Sequence, residues 1–152
     1  MRTLAGKLII SIFAILPMMT NLLIDTNVLI YGFDKNSVYH QQTKAILIDP
    51  SYSLFITTKN ISEFFAVTSK LKIDLQLCLK YYDDIKANTV ILFPTEKSFD
   101  YFENLIQKYQ PVGNQVYDIE IVSIMLDNNI KHIATFNRKD FINITEVQII
   151  GI

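Results

Sequence analysis

Residues 18–33, "MMTNLLIDTNVLIYGF", decide how the chain reads. A short, mostly apolar run, Asn21-Leu22-Leu23-Ile24, ends on Asp25, and a second apolar run begins only after the small polar pair Thr26-Asn27. The first run has the length of a buried strand and the second the pattern of a helix, so an acid sits at the seam between them. Such an acid either caps the helix or does chemistry. The stretch alone leaves both readings open.

Working outward, short apolar runs alternate with helical patterns to the end of the chain. Strands are expected at residues 21–25, 53–57, 90–93, 131–135 and 147–150. Helices are expected at 28–33, 39–48, 58–70, 75–87, 96–109 and 117–128. The helix at 96–109 shows Phe99, Phe102, Ile106 and Tyr109 on one stripe behind Thr95 as N-cap. In the helix at 75–87, Cys78, Tyr81, Tyr82 and Ile85 recur at helical spacing behind Asp74. This alternation predicts an α/β fold, a three-layer α/β/α sandwich around a central parallel sheet of about five strands. With only 4 glycines there is no glycine-rich phosphate loop, so nucleotide-binding folds of that kind are excluded.

The 152 residues suit one domain, and a hydrophobic content of 50% argues against disorder. A formal charge of −1 removes whole-surface attraction to nucleic acid but leaves room for a local cationic patch or bound metal ions. The single cysteine, Cys78, lies among apolar neighbours and is read as a core thiol in a reducing compartment. With only His40 and His132, a zinc site is not expected; any metal ligands must be carboxylates, which points to Mg²⁺ or Mn²⁺. Residues 1–18, "MRTLAGKLIISIFAILPM", place Arg2 and Lys7 ahead of a short apolar run, like the start of a signal peptide, but no small-residue cleavage site follows. The reading preferred here is an apolar extension from an upstream start, with the domain spanning 19–152 and the protein cytoplasmic.

In an open parallel sheet, ligands bind beyond the carboxyl ends of the strands. Asp25 ends the first expected strand, Glu63 follows the second within "TTKNISEFFAVTSK", and Asp118 opens the helix "YDIEIVSIML". Asn137 and Asp140 follow the fourth strand in "HIATFNRKDF". Each has a plain structural alternative. Asp25 can cap a helix, Glu63 stands at capping-box spacing from Asn60, Asp118 suits a helix dipole, and Asn137 can cap the short segment holding Asp140. Glu63 has apolar Ala66 and Val67 on its helical face, which turns it toward the core side, and Asp118 has Val122 and Met125. Converging carboxylates repel one another, and a divalent cation relieves that repulsion while activating water or polarising a phosphoryl oxygen.

The segments "LLIDTNVLIY", "NISEFF" and "VYDIEIVSIMLDNNIKHIATFNRKDF" resemble, in order and spacing, the PIN-domain nucleases, and most of all the VapC-type toxins of type II toxin–antitoxin pairs. The resemblance covers the chain from about Met19 onward. It implies a Mg²⁺- or Mn²⁺-dependent endoribonuclease in which Asp25, Glu63 and Asp118 are the catalytic, metal-holding acids. Asn137, with Asp140 near it, falls at the second metal position, where the family pattern also admits Asp. Thr26, Asn27 and Thr135 match supporting positions. The resemblance further implies an RNA substrate, a cognate antitoxin, a homodimer and no stable membrane association. RNA-guiding cations would come from Lys59, Arg138 and Lys139, with Lys70 and Lys72 as further candidates; Tyr31 and Phe33 could stack on a base, but core packing is the simpler reading of both. Two other readings stay open. One is a PIN-fold binding protein without catalysis, favoured by Asn137 standing where an acid is expected. The other is an aspartyl-phosphate phosphotransferase, weakened because Asn27 replaces the acid that chemistry wants two residues on.

Overall fold

A computed structural model describes residues 18–152. Five strands form one parallel sheet: β1 (Thr20–Ile24), β2 (Tyr52–Thr57), β3 (Val90–Leu92), β4 (His132–Ala134) and β5 (Gln148–Ile150), in the order β3-β2-β1-β4-β5. Parallel neighbours cannot be joined by hairpins, so helices cross over between them. Successive side chains on a strand face opposite ways. Thus Leu22 and Ile24 of β1 enter one core while Leu23 enters the other, all fully buried.

Four helices cover the Leu22 face: α1 (Thr26–Phe33), α2 (His40–Leu47), α3 (Thr58–Lys70) and α4 (Leu75–Asn88). They contribute Val28, Leu29, Ile46, Phe64, Cys78 and Ile85 to that core. Cys78 is therefore a core thiol, as its neighbours indicate. The Leu23 face is covered by α5 (Glu96–Tyr109), α6 (Gln115–Asp127) and the short α7 (Arg138–Phe141). Residues Ile121 to Met125 of α6 are buried without interruption, because this helix packs both on the sheet and along α5. The result is the three-layer sandwich expected from alternation.

The expected elements are found to within two residues, and α7 is added to them. Residues 1–17, which hold nearly all of the expected N-terminal extension, lie outside the described residues. The stripe on α5 needs correction: Phe99 is 58% exposed, while Leu105 takes the core position. The cause lies at the helix start, where Ser98 is buried in a capping box with Thr95 and turns the inward face toward residues 98, 102, 105 and 109. Asp74 caps α4 as expected, by accepting from the Leu77 amide. Phe33 is core, edge-on to Phe64 and Tyr81.

Gly32 in α1 lets three elements meet. A Cβ there would come within 2.6 Å of the Tyr81 hydroxyl and 2.9 Å of Thr43 Cγ2. That hydroxyl donates to the Leu29 carbonyl at 3.1 Å, so it cannot withdraw without losing a bond. Gly32→Ala gains about 1 kcal/mol of helix propensity, against roughly 1–3 kcal/mol for overpacking plus about 1 kcal/mol for the hydrogen bond. The expected outcome is a net loss of stability in chemical denaturation; equal or greater stability would show that α1 and α4 can part freely.

Candidate active site

The strand order reverses beside β1: its successor β2 lies on one side and β4 on the other. A crevice opens at the carboxyl ends where the two directions part. Asp25 follows β1 there and continues the ladder, its amide donating to the Ala134 carbonyl at 3.0 Å. It is both cap and site residue. Its Oδ1 accepts the Thr26 amide at 2.7 Å, while its backbone carbonyl accepts from the Val28 amide as α1 begins.

Asp25 Oδ2 faces the neighbouring strand end. It accepts from the Thr135 hydroxyl at 2.7 Å and from Asn27 Nδ2 at 2.6 Å. Asn27 Nδ2 also reaches Thr135 Oγ1, its Oδ1 accepts the Phe136 amide at 3.0 Å, and Thr135 Oγ1 accepts the Asn137 amide. Both ends of the Asn27 amide are thus committed to joining the β1 and β4 loops. On the other side, Thr26 Oγ1 donates to Glu63 Oε2 at 2.7 Å and accepts from Asn60 Nδ2 at 3.1 Å. Asn60 is in turn locked to Thr57 in the capping box that starts α3.

That box corrects one alternative: Asn60 is the third residue of α3 and its partner is Thr57, so Glu63 does no capping. Ala66 and Val67 are exposed and line the cleft, so the apolar face beside Glu63 turns to the crevice rather than to the core. Asp118, in the first turn of α6, sits one turn from buried Val122 and two from buried Met125, as its spacing indicates. Asn137 occupies the N-cap position of α7 without a side-chain capping bond.

The cleft has a volume of about 540 Å³. Asp25, Glu63, Asp118 and Asp140 line it, with Thr26, Asn27, Asn137 and Lys59. Thr135 lies buried behind Asp25. Arg138, Lys139, Lys70 and Lys72 are exposed and do not line it. Thr57 escaped the sequence reading, as did its pairing with Asn60, although the Thr-x-x-Asn spacing at a strand end is a capping signal. Asn114 and Tyr117 at the start of α6 also line the cleft, and Lys59 Nζ sits 3.6 Å from the centre of the Tyr117 ring.

Among the described residues, no ion pair joins a lysine or arginine to any of the four acids. Burial raises the pKa of Asp25 despite its hydrogen bonds, and Glu63 adds to the effect. Burial also raises Asp118 to about 7, with further contributions from the charges of Asp140, Asp25 and Glu63. Among the described residues none donates a hydrogen bond to Asp118, and Glu63 receives one on Oε2 alone. Hard oxygen donors with unrelieved negative charge fit a divalent cation such as Mg²⁺ or Mn²⁺. No three His, Cys, Asp or Glu side chains among the described residues are arranged to hold an ion by themselves. The donor set therefore suits an ion that keeps several waters, as Mg²⁺ does on one or two carboxylates.

These shifts have a consequence for stability. Asp118 ionises near 3.8 when unfolded and at about 7 when folded. Between those values the folded state binds more protons, so stability falls as pH rises through that window. The melting temperature of cation-free protein is expected to drop between about pH 4 and pH 7 and to level off above that. Added Mg²⁺ or Mn²⁺ should restore it at the upper pH and do little at the lower. A melting temperature that climbs across this range without cation, or is indifferent to cation throughout, contradicts the electrostatic reading.

The PIN domain family model matches residues 22–147. No curated protein sequence matches the chain significantly. Among solved structures, VapBC2 from Rickettsia felis, bound to a DNA fragment from its promoter, superposes with a TM-score of 0.70 at 19% identity, covering 86% of this chain and 98% of that one. VapBC-1 from nontypeable Haemophilus influenzae gives 0.65 at 20% identity, covering 86% and 97%. VapC20 from Mycobacterium tuberculosis, a sarcin-ricin loop cleaving toxin, gives 0.64 at 11% identity, covering 84% and 98%. At these identities the likeness establishes the fold, and together with the family match it shows that this chain belongs to the PIN domain family.

Proposed function

We propose that the chain is a Mg²⁺- or Mn²⁺-dependent endoribonuclease that hydrolyses RNA phosphodiester bonds, and that it is the toxin of a type II toxin–antitoxin pair. The observation that carries this reading is the convergence of Asp25, Glu63, Asp118 and Asp140 on one cleft without a basic partner. VapC20, of the same fold, is a sarcin-ricin loop cleaving toxin, and VapBC2 and VapBC-1 support an antitoxin as partner. In this reading the nuclease unit spans residues 19–152 and acts in the cytoplasm as a homodimer, with residues 1–18 an apolar extension. No helix among the described residues is long and apolar enough to cross a membrane.

Asp25 and Asp118 would hold the cation, with Glu63 bound directly or through water and Asn137 and Asp140 serving a second, weaker position. When bound, the cation supplies Lewis acidity and a water of lowered pKa for attack on phosphorus. The protein's own contribution is orientation. Thr135 and Asn27 fix the Asp25 carboxylate, and Thr26, steadied by Asn60, fixes Glu63. Lys59, held over Tyr117, presents a positive charge on the rim, where a phosphate can approach an otherwise acidic cleft. The aspartyl-phosphate alternative loses ground, since both ends of the Asn27 side chain are engaged and it offers no proton-transfer group.

Cleavage of structured RNAs with Mg²⁺ or Mn²⁺ tests this reading. Asp25→Asn and Asp118→Asn should each lose at least about 100-fold in rate, the scale expected when charge stabilisation worth several kcal/mol is removed. Thr26→Val should lose about 10- to 100-fold, since it frees Glu63 without touching the acids. Equal rates in the parent and both acid variants would overturn the assignment. Cleavage by none of them would favour the binding-protein reading that Asn137 allows.

A further inference from the structure

Beside the acidic cleft lies an aromatic cluster that neither core accounts for. The rings of Tyr31 and Tyr39 are 5.0 Å apart, those of Tyr31 and Phe136 5.1 Å, and those of Tyr39 and Phe136 4.6 Å. Phe136 touches the edge of the Leu22-face core, but Tyr31 and Tyr39 belong to neither core, and Tyr39 is 40% exposed. Core packing, the simpler reading of Tyr31 from its sequence, therefore does not describe it.

We infer that Tyr31, Tyr39 and Phe136 form a stacking platform for an unpaired base of the RNA whose phosphate lies at the acidic cleft. The proposal rests on the ribonuclease reading and specifies the substrate as single-stranded at that position. Three observations favour a base as the occupant. The platform is continuous with the cleft: Tyr31 lines it, and Phe136 sits between Thr135, bonded to Asp25, and Asn137, which also lines it. The platform is preorganised. The Tyr39 amide is held by Ser37 Oγ at 3.1 Å and its carbonyl by the Thr43 amide at 2.9 Å, while the Phe136 amide is held by Asn27. Finally, Lys59 lines the same cleft, so a cation for the backbone and aromatic faces for a base border one crevice. Stacking of this kind tolerates any base, since every base has a π face, and it discriminates against paired strands, whose bases are already stacked.

The test separates this claim from the catalytic one. A short oligoribonucleotide carrying 2-aminopurine is titrated with the full chain in Ca²⁺ in place of Mg²⁺, so that stacking is read as fluorescence quenching without dependence on turnover. The unmodified protein should quench, Tyr39→Ala and Tyr39→Leu should bind at least about fivefold more weakly with quenching reduced, and Tyr39→Trp should restore both. In cleavage assays the same Tyr39→Ala change should raise KM while leaving kcat within about twofold. Quenching without cleavage would uphold the platform while the nuclease assignment fell. Cleavage with unchanged KM and unchanged binding in Tyr39→Ala would overturn the platform alone and point to a protein as its occupant. No quenching by the unmodified protein would also overturn it.

Discussion

The hydrogen bond from the Thr135 hydroxyl to Asp25 Oδ2, 2.7 Å long, joins residues 110 positions apart in sequence and fixes the geometry on which the site depends. It ties the loop after β1 to the loop after β4, the two strands between which the sheet changes direction. A buried carboxylate with no cationic partner is costly. The fold sustains it by surrounding Asp25 with donors from Thr26, Asn27 and Thr135, and it does so against the charge of Glu63, which acts in the opposite direction. The cluster is thus held together by neutral donors while its charges oppose one another. Hydrogen-bonded placement combined with unrelieved repulsion is an arrangement that suits a divalent cation.

The same frame explains why Thr26 and Asn27 sit where they do. Each uses both of its hydrogen-bonding capacities. Thr26 links Glu63 to Asn60, and Asn27 links Asp25 and Thr135 to the Phe136 backbone. Neither could be replaced by an apolar residue of similar size without leaving a buried partner unsatisfied. The small polar pair after Asp25 is therefore part of the acid's support and not merely a helix start.

Much of this was legible in the sequence because parallel α/β folds write it plainly. Alternating strands and helices imply crossovers, and crossovers place strand ends on one edge, which is why Asp25, Glu63, Asp118 and Asp140 can be grouped from sequence. What periodicity could not give was rotation and partnership. Phe99 looked like core, yet the capping box at Thr95 and Ser98 turns the helix so that Leu105 goes inward. Ala66 and Val67 looked like a core face and instead line the cleft. Asn60 was read as a possible N-cap, while its actual role, bridging Thr57 to Thr26, depends on a contact between segments 34 residues apart. The aromatic cluster was equally hidden, since Tyr39 and Phe136 meet only through the tertiary fold.

A divalent cation that relieves the repulsion around Asp118 would displace its proton, and calorimetric titration of Mn²⁺ in buffers of different ionisation enthalpy tests this directly. With Asp118 at about 7 in the cation-free protein, binding at neutral pH should release about half a proton. The measured heat should therefore depend on the buffer, and Asp118→Asn should reduce that dependence and weaken binding by at least about tenfold. Buffer-independent heat, or the same affinity in Asp118→Asn, would contradict it.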